Sequence, residues 1–291
     1  MTILISAIAG LNLASSSVSA TGNEFHVITD AERQTFQIND IQLKNAVAKF
    51  FGKQPTDVFV KSSDSWPNKS WSDLYSRYNW QQVQVNMQVR DIKITDIQSQ
   101  PVIIASRYFK NSSSKPATFS ANISESVTNT IESNWSSSTT AASNFSFTST
   151  TEVNVELAKE SIQYSTGFSL SETWGKGGSS SQATTVGSSS GLSVSLNPGE
   201  EVTADLIATR GTMKVRVNYI VYLSGNTAVN YQKPYQGHHF WAFPIETVLN
   251  ASNVPSYRIV TEDIQVGYYS NASVIVQDSS GKPKTLIATA P

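Results

Sequence analysis

Two long stretches of alternating sequence, separated by a short run without charge, constrain the fold of this chain more than any other feature. Within residues 119–157, apolar side chains occupy most odd positions of 119–135 and of 145–157, and polar side chains occupy the even positions between them. Successive side chains of a β-strand point to opposite faces. The alternation therefore predicts two strands, each with one apolar and one polar face.

The length of these stretches leaves two interpretations open. A strand of a globular β-sandwich usually runs about five or six residues, whereas a tilted strand that crosses a lipid bilayer needs roughly 9 to 11 residues. Both stretches reach the longer length. They are either a hairpin that inserts into a membrane or two outer strands of an ordinary antiparallel sheet whose polar face meets water.

The composition excludes several classes of protein. The 291 residues are enough for one large all-β unit or two smaller domains. A formal net charge of -1 gives no basic patch for nucleic acid. The chain has no cysteine, so neither disulfides nor thiolate sites can form. The sequence also contains no apolar run long enough for a transmembrane helix.

The chain offers little for catalysis. Its three histidines are His26, His238 and His239, and two adjacent histidines on a strand face opposite ways. No hydrolase, zinc-protease or phosphate-binding motif surrounds them. We therefore predict that the protein is not an enzyme and needs no metal or cofactor.

The region before the alternating stretches divides into two parts. Residues 1–21 are apolar and are either a leader peptide or a first strand, although they lack the basic start of most leaders. Residues 22–110 are predicted to form a small α+β region. Its helix is expected to begin after Asn39 or Asp40 and to end at Gly52.

Aromatic side chains cluster in one loop-rich stretch of this N-terminal region. Such side chains combine an apolar ring with a polar edge and can stack on sugars or lie at a lipid headgroup interface, although packing in a core is equally consistent. The candidates for receptor binding are Trp66, Trp71, Tyr75, Tyr78 and Trp80.

The composition changes sharply at residue 111. Serine and threonine fill 37 of the 90 positions from 111 to 200, but the alternation continues, which argues against a disordered linker. A third alternating stretch follows over residues 162–174 in the opposite phase. After the Asn-Pro-Gly turn at 197–199, residues 201–291 are predicted to form a C-terminal β-sandwich region.

The order of these features resembles the aerolysin-like β-pore-forming toxins, in the branch of epsilon toxin and the mosquitocidal toxins. The resemblance is carried by residues 134–140, 151–157 and 164–171, by the turn at 196–199, and by the long strands over 201–223. It implies a mainly β, elongated architecture of long antiparallel strands. It further implies an insecticidal or cytolytic toxin, secreted or stored as crystals by a bacterium. Such a toxin binds a receptor on the target-cell membrane, forms a homo-oligomer and inserts one hairpin per subunit into a transmembrane β-barrel.

Combined with the alternation, the resemblance predicts that both arms form one inserted hairpin with a lipid-facing and a pore-lining face. The apolar face of this hairpin is expected to be only partly buried in the monomer before insertion. The lipid-facing residues would be Val127, Ile131, Trp135, Phe145, Phe147, Val153, Val155 and Leu157. The pore-lining residues would be Thr128, Thr130, Glu132, Thr148, Thr150, Glu152 and Glu156. The glutamates of the second set predict a channel that prefers cations.

Another function is also consistent with the sequence. In a non-lytic carbohydrate-binding or adhesion protein, the aromatic stretch would bind the ligand and the Ser/Thr-rich region would be a stalk. Leakage of dye from liposomes distinguishes the two hypotheses.

Overall fold

Long antiparallel strands form the body of the protein. The computed structural model describes residues 17–21, 24–62, 70–135, 147–159, 162–173, 176–187, 192–284 and 287–288. The three longest strands are β4 (Gln84–Lys110), β11 (Glu201–Ser224) and β14 (Tyr257–Asp278). β4 has 27 residues, which at about 3.4 Å per residue gives a strand about 90 Å long. The predicted mainly β, elongated architecture is confirmed.

These three strands lie in one six-stranded antiparallel sheet, which we call the long sheet. Its other strands are β2 (Glu24–Val27), β6 (Ser124–Trp135) and β9 (Gly178–Gly187). The strand order is β2-β4-β11-β14-β6-β9. The N-terminal, Ser/Thr-rich and C-terminal regions of the sequence therefore all contribute to a single sheet.

Three smaller sheets complete the described β structure, each with three strands. The first contains β1 (Ser17–Thr21), β7 (Thr148–Lys159) and β8 (Ile162–Thr173). The second contains β5 (Ala117–Ser120), β10 (Leu192–Leu196) and β15 (Ile287–Ala288). The third contains β3 (Asp57–Phe59), β12 (Asn226–Tyr235) and β13 (His238–Pro244). Residues 17–21, predicted as part of either a leader or a first strand, are a strand in the structure.

The described helices are short and belong mostly to the N-terminal region. They are α1 (Asp30–Thr35), α2 (Asp40–Phe51), α3 (Leu74–Tyr78) and α4 (Ile245–Asn250). The side chain of Asn39 accepts a hydrogen bond from the first turn of α2, and Gly52 ends this helix in the left-handed conformation at φ 85°. The predicted helix and both of its ends are confirmed. None of the described helices is long and apolar enough to span a membrane.

Two large hydrophobic cores lie against the long sheet. The first core joins it to the sheet of β7 and β8 and to α2 and α4, and the second joins it to the sheet of β5 and β10. Along β11, buried side chains occupy even positions such as Leu206 in the second core and odd positions such as Val217 in the first. The two cores therefore lie on opposite faces of this strand.

The structure corrects the prediction that the two alternating arms pair with each other. The first arm is split, because Phe119 belongs to β5, residues 121–123 lie between strands and residues 124–135 form β6. β6 pairs with β14 and β9, whereas β7 pairs with β1 and β8. Alternation sets the face on which a side chain lies but not the neighbouring strand. β7 has a nearer partner in β8, from which it is separated by only two residues along the chain.

Candidate functional site

The candidate functional site is the β-hairpin of β7 and β8. Its two strands have 12 residues each and pair without a register shift, from Thr148 opposite Thr173 to Lys159 opposite Ile162. Only residues 160 and 161 connect them. Each strand is long enough to cross the hydrocarbon part of a bilayer at a tilt, which takes roughly 9 to 11 residues.

One face of this hairpin is buried against the long sheet. The large apolar side chains of this inward face are those of Phe147, Val153, Val155, Phe168 and Leu170, all of which belong to the first core. Phe147 contacts the ring of His26 at a centroid distance of 4.7 Å. Burying one such side chain stabilises a fold by roughly 1.5–3 kcal/mol, so the five together contribute roughly 8–15 kcal/mol.

The other face of the hairpin is polar and meets solvent. Thr148, Glu152, Asn154, Ser169 and Ser171 are exposed, and Thr150 is half-buried with its hydroxyl 3.0 Å from that of Ser171. The hairpin therefore separates apolar from hydroxyl-bearing side chains along both strands. This is the pattern that the alternation predicted for β7.

The apolar face is more deeply buried than predicted. Val153 is 0 % exposed and Val155 is 1 % exposed, whereas the sequence led us to expect a face that is only partly covered. The reason is that the long sheet supplies a matching apolar surface that includes Met213, Val215 and Val266. Partners from distant parts of the chain cannot be read from the alternation of β7 itself.

A buried polar cluster interrupts this apolar contact. Glu262 on β14 is 1 % exposed and accepts two hydrogen bonds, from the hydroxyls of Tyr219 and Ser133, each of 2.7 Å. Burial, together with the adjacent carboxylate, raises the pKa of Tyr219 well above its usual value. The nearby hydroxyls of Ser149 and Thr151 on β7 lower the pKa of Tyr219, but by less than burial raises it. The polar cluster thus lies where the hairpin meets three strands of the long sheet, with the Oγ of Ser149 and the Oγ1 of Thr151 buried beside it.

The second edge of β7 is covered by β1. Five residue pairs join these strands, from Ser17 opposite Asn154 to Thr21 opposite Thr150. β1 is separated by two residues from β2, which pairs with β4 at one side of the long sheet. β1 thus connects the hairpin to the body of the protein.

The predicted site residues on the first arm lie elsewhere. Val127 and Ile131 on β6 are buried, and Trp135 stacks on Tyr219 at a centroid distance of 5.6 Å. Thr128 and Glu132 are exposed and Thr130 is half-buried. Phe145 lies outside the described residues, and Leu157 and Glu156 are placed in β7 without a description of their side chains.

The sequence analysis missed the residues that β8 contributes to the inward face. Phe168 and Leu170 complete the apolar face of the hairpin. The available signal was the third alternating stretch at 162–174, which follows β7 in the opposite phase. Opposite phase is expected for the returning strand of a tight hairpin, because directly opposite residues share a face.

The aromatic residues of the N-terminal region form a separate cluster. Tyr78 stacks on Trp80 at 4.7 Å and lies 6.3 Å from Phe240, which in turn contacts Trp71 at 5.2 Å. Tyr78 is 41 % exposed, and the other three are half-buried. Phe240 comes from β13, and its contact with these residues was not predicted, since it is distant from them in sequence.

Of the predicted receptor-binding residues, Tyr75 does not contribute to this surface. Tyr75 is 3 % exposed, and its hydroxyl donates to the carbonyl oxygens of Phe59 and Asn226. Burial raises its pKa above the usual value of a tyrosine. Tyr75 therefore packs in a small core instead of facing solvent. Trp66 lies outside the described residues.

The described residues give no indication of a metal centre. No group of three or more His, Cys, Asp or Glu side chains in this part of the chain could hold a metal ion. The chemistry of the site is thus the segregation of apolar and polar side chains on two strands, together with a buried carboxylate under one of them.

Comparison with known structures identifies the fold. The parasporin-2 toxin of Bacillus thuringiensis, which is described as recognising cancer cells, superimposes with a TM-score of 0.62 at 16 % identity, over 92 % of this chain and 100 % of that one. The fold is that of the aerolysin-like β-pore-forming toxins. No model of a protein family matches the sequence.

Comparison with known sequences identifies the family. U-megalopygitoxin(8)-Mc8 of Megalopyge crispata is 34 % identical over 93 % of this chain and 90 % of its own length. U-megalopygitoxin(8)-Mo15 of Megalopyge opercularis is 36 % identical over 93 % of this chain and 83 % of its own length. The chain belongs to the U-megalopygitoxin(8) family. These relatives are insect proteins, so they do not support the bacterial source that the resemblance implied.

Proposed function

We propose that the protein is a cytolytic pore-forming toxin, in which the β7–β8 hairpin leaves the long sheet and contributes two strands to a transmembrane β-barrel of several copies. The observation that carries this proposal is the continuous, amphipathic hairpin with strands of 12 residues. A barrel is required because every backbone hydrogen-bonding group must be paired within a bilayer.

The pairing of the strands supports β7 and β8 as the unit that moves. β7 and β8 pair with each other along their whole length, so these hydrogen bonds survive if the hairpin moves as a unit. The described strand ladder that holds it to the rest of the protein is the five-pair ladder between β7 and β1. β6, in contrast, pairs with β9 over ten positions and with β14 over six. Insertion of β6 would require both of these ladders to break.

The two faces of the hairpin fit the two environments of a barrel wall. The inward face would exchange its contact with the long sheet for contact with lipid, which offsets the apolar surface exposed on release. The hydroxyl-bearing face would line the water-filled channel, with Glu152 as a negatively charged residue. Thus part of the predicted lipid-facing and pore-lining sets is retained, whereas the residues of β6 stay in the long sheet.

Attachment to the target cell would precede insertion. We assign this step to the partly exposed aromatic cluster of Trp71, Tyr78, Trp80 and Phe240. Arg77 lies 5.3 Å from the ring of Tyr78, so this surface also carries a positive charge. Aromatic and arginine side chains are enriched at the centres of protein recognition surfaces.

Site-directed spin labelling tests the insertion directly, because the chain has no native cysteine. Two variants, each with a single spin-labelled cysteine at Glu152 or Val153, would be measured in solution. They would be measured again after addition to a membrane from which the wild-type protein releases dye. We expect position 153 to be accessible to oxygen dissolved in lipid and position 152 to a water-soluble nickel complex. Matched labels at Thr128 and Val127 on β6 should show the same accessibility in the soluble and membrane-bound forms.

Two results would contradict the proposal. If accessibility at 152 and 153 is unchanged on membranes that leak, another segment forms the barrel. If the protein binds cells but forms no detergent-resistant oligomer and releases no dye, the non-lytic adhesion hypothesis is correct instead.

A further inference from the structure

The long sheet carries a second exposed apolar surface, outside the N-terminal aromatic cluster and on the opposite face of β2 from His26, which contacts Phe147 of the hairpin. Phe25 is 67 % exposed and Tyr257 is 51 % exposed. Phe25 lies on β2 and Tyr257 on β14, and Tyr222 lies on β11 near both of them. We call these three residues, with their neighbours Val27, Ile220 and Ile259, the aromatic strip.

The register of the sheet places these side chains in one row on one face. Phe25 is opposite Asn86, Asn86 is opposite Tyr222, and Tyr222 is opposite Tyr257. Directly opposite residues in antiparallel strands point to the same side. The row therefore crosses four adjacent strands in the order Phe25, Asn86, Tyr222 and Tyr257.

The rows on either side continue the same surface. Gln88, Ile220 and Ile259 form one neighbouring row, and Val27, Gln84 and Ser224 form the other. The opposite face of these strands holds core residues such as Met87 and Val221. The aromatic strip is thus the solvent face of a rigid part of the long sheet.

Neutral hydrogen-bonding groups accompany the aromatic rings. The Nε2 of Gln88 donates to the hydroxyl of Tyr222 at 3.0 Å, and the Nδ2 of Asn86 donates to the Oγ of Ser224 at 2.9 Å. These bonds fix the Tyr222 ring and orient the amide groups beside it. In the described part of this face, charged residues begin one row further along, where Asp91 accepts a hydrogen bond from Asn218.

We propose that the aromatic strip binds a neutral oligosaccharide on the target surface. Aromatic rings pack against the C–H groups of a sugar, while amide and hydroxyl groups bond to its hydroxyls. The lack of charge in the three rows matches a neutral glycan and not a sulfated or sialylated one. Adjacent strands are about 4.8 Å apart, so Phe25 and Tyr222 are separated by about 10 Å, which matches the length of a short, extended oligosaccharide.

A lipid surface fits the same features less well. Peripheral binding to anionic leaflets relies on clustered lysine and arginine. The described residues of the three rows include neither lysine nor arginine. Binding of an oligosaccharide to an open sheet face has a parallel in the sheet surfaces of OB-folds. The inference does not depend on pore formation, since it concerns binding by the soluble chain.

The test uses the full chain and measures glycan binding without membranes, with binding to phosphatidylcholine vesicles measured in a separate assay. Immobilised oligomers of N-acetylglucosamine, galactose and mannose, each with a sialylated or sulfated counterpart, would be screened, and the best neutral ligand would be titrated by calorimetry. We expect Tyr257→Ala and Phe25→Ala each to weaken binding at least about tenfold, because one stacking surface is lost. Tyr257→Phe should bind nearly as well as the wild type, since the ring is kept.

Matched controls separate binding from folding. Ile103→Ala removes an equally exposed side chain, 60 % exposed, at a distant position of the long sheet and should leave glycan binding unchanged. Circular dichroism and resistance to trypsin would establish that each variant is folded. The Tyr257→Phe variant keeps the test informative even if an alanine variant fails to fold.

Three outcomes would overturn the inference. The first is that the wild type retains no neutral glycan, and the second is that the alanine variants of the strip bind the glycan as well as the wild type does. The third is that these variants lose only their binding to phosphatidylcholine vesicles, which would make the strip a lipid contact. Because glycan binding and dye release are measured separately, failure of one leaves the other assignment intact.

Discussion

A disulfide between β1 and β7 should prevent membrane insertion without disturbing the soluble fold. Ser19 lies directly opposite Glu152 in the antiparallel ladder. Opposite residues in such a ladder have Cα atoms about 4.5–5.5 Å apart, within the range of about 4.4–6.8 Å that a disulfide accepts. The double variant Ser19→Cys/Glu152→Cys therefore needs little backbone movement. No native cysteine competes for pairing.

The length of the tether explains why this crosslink should block the hairpin. Ser19 is five residues before Glu24, the first residue of β2, which is held in the long sheet by β4. Five extended residues reach at most about 17 Å. The hydrocarbon core of a bilayer is about 30 Å thick. A hairpin held on this tether cannot move its strands across the core while β2 remains paired.

Dye release from vesicles, with and without reductant, provides the measurement. The oxidised variant should release almost no dye, and reduction should restore the wild-type rate. The control Glu152→Cys/Ser169→Cys joins two opposite residues inside the hairpin, so it moves with the hairpin and should leave dye release intact. Full release by the oxidised β1–β7 variant, with the crosslink verified by mass spectrometry, would refute the tethering argument. Loss of release in the intra-hairpin control would show that the two strands do not insert as one unit.

Three further predictions follow from the same geometry. Glu152→Gln should reduce cation preference in planar-bilayer recordings, because it removes a charge from the channel lining, whereas Glu132→Gln on β6 should have no effect; the reverse result would favour insertion of β6. The free energy of unfolding should fall above about pH 10, the usual pKa of tyrosine. The pKa of Tyr219 is raised by burial, so its deprotonation favours the unfolded chain. Tyr219→Phe should lessen this slope by about 1.4 kcal/mol per pH unit in denaturant titrations, and an unchanged slope would contradict the assignment. Tyr78→Ala should reduce cell binding several-fold while preserving dye release from receptor-free vesicles at high protein concentration, and unchanged cell binding would exclude Tyr78 from attachment.

The sequence predicted the strands and their faces better than it predicted their partners. Alternation correctly placed Val153 on an apolar face and Glu152 on a polar one, because side-chain direction is a local property of a strand. It could not show that β6 joins β14, since that choice depends on residues more than a hundred positions away. Asn39 and Gly52 correctly predicted the two ends of α2, because the residues that begin and end a helix also act locally. The contacts of Phe240 with Trp71 and Tyr78, and the aromatic strip, were not predicted for the opposite reason, because these residues meet only after distant strands have paired.

The inward face of the hairpin must hold the hairpin on the long sheet in water and, under the proposed function, allow it to be released. A purely apolar face would favour only the first. Five large apolar side chains are enough to keep the hairpin on the long sheet in water. Ser149 and Thr151 lie on the same face, over Tyr219 and the buried carboxylate of Glu262. In the proposed release, water would reach the Glu262 carboxyl group, a polar group that the folded monomer keeps out of water, and its hydration would offset part of the cost of exposing the apolar surface. Under the proposed function, the polar cluster would therefore lower the cost of release where Ser149 and Thr151 cover Glu262, while the apolar contacts around it hold the hairpin on the long sheet in the monomer.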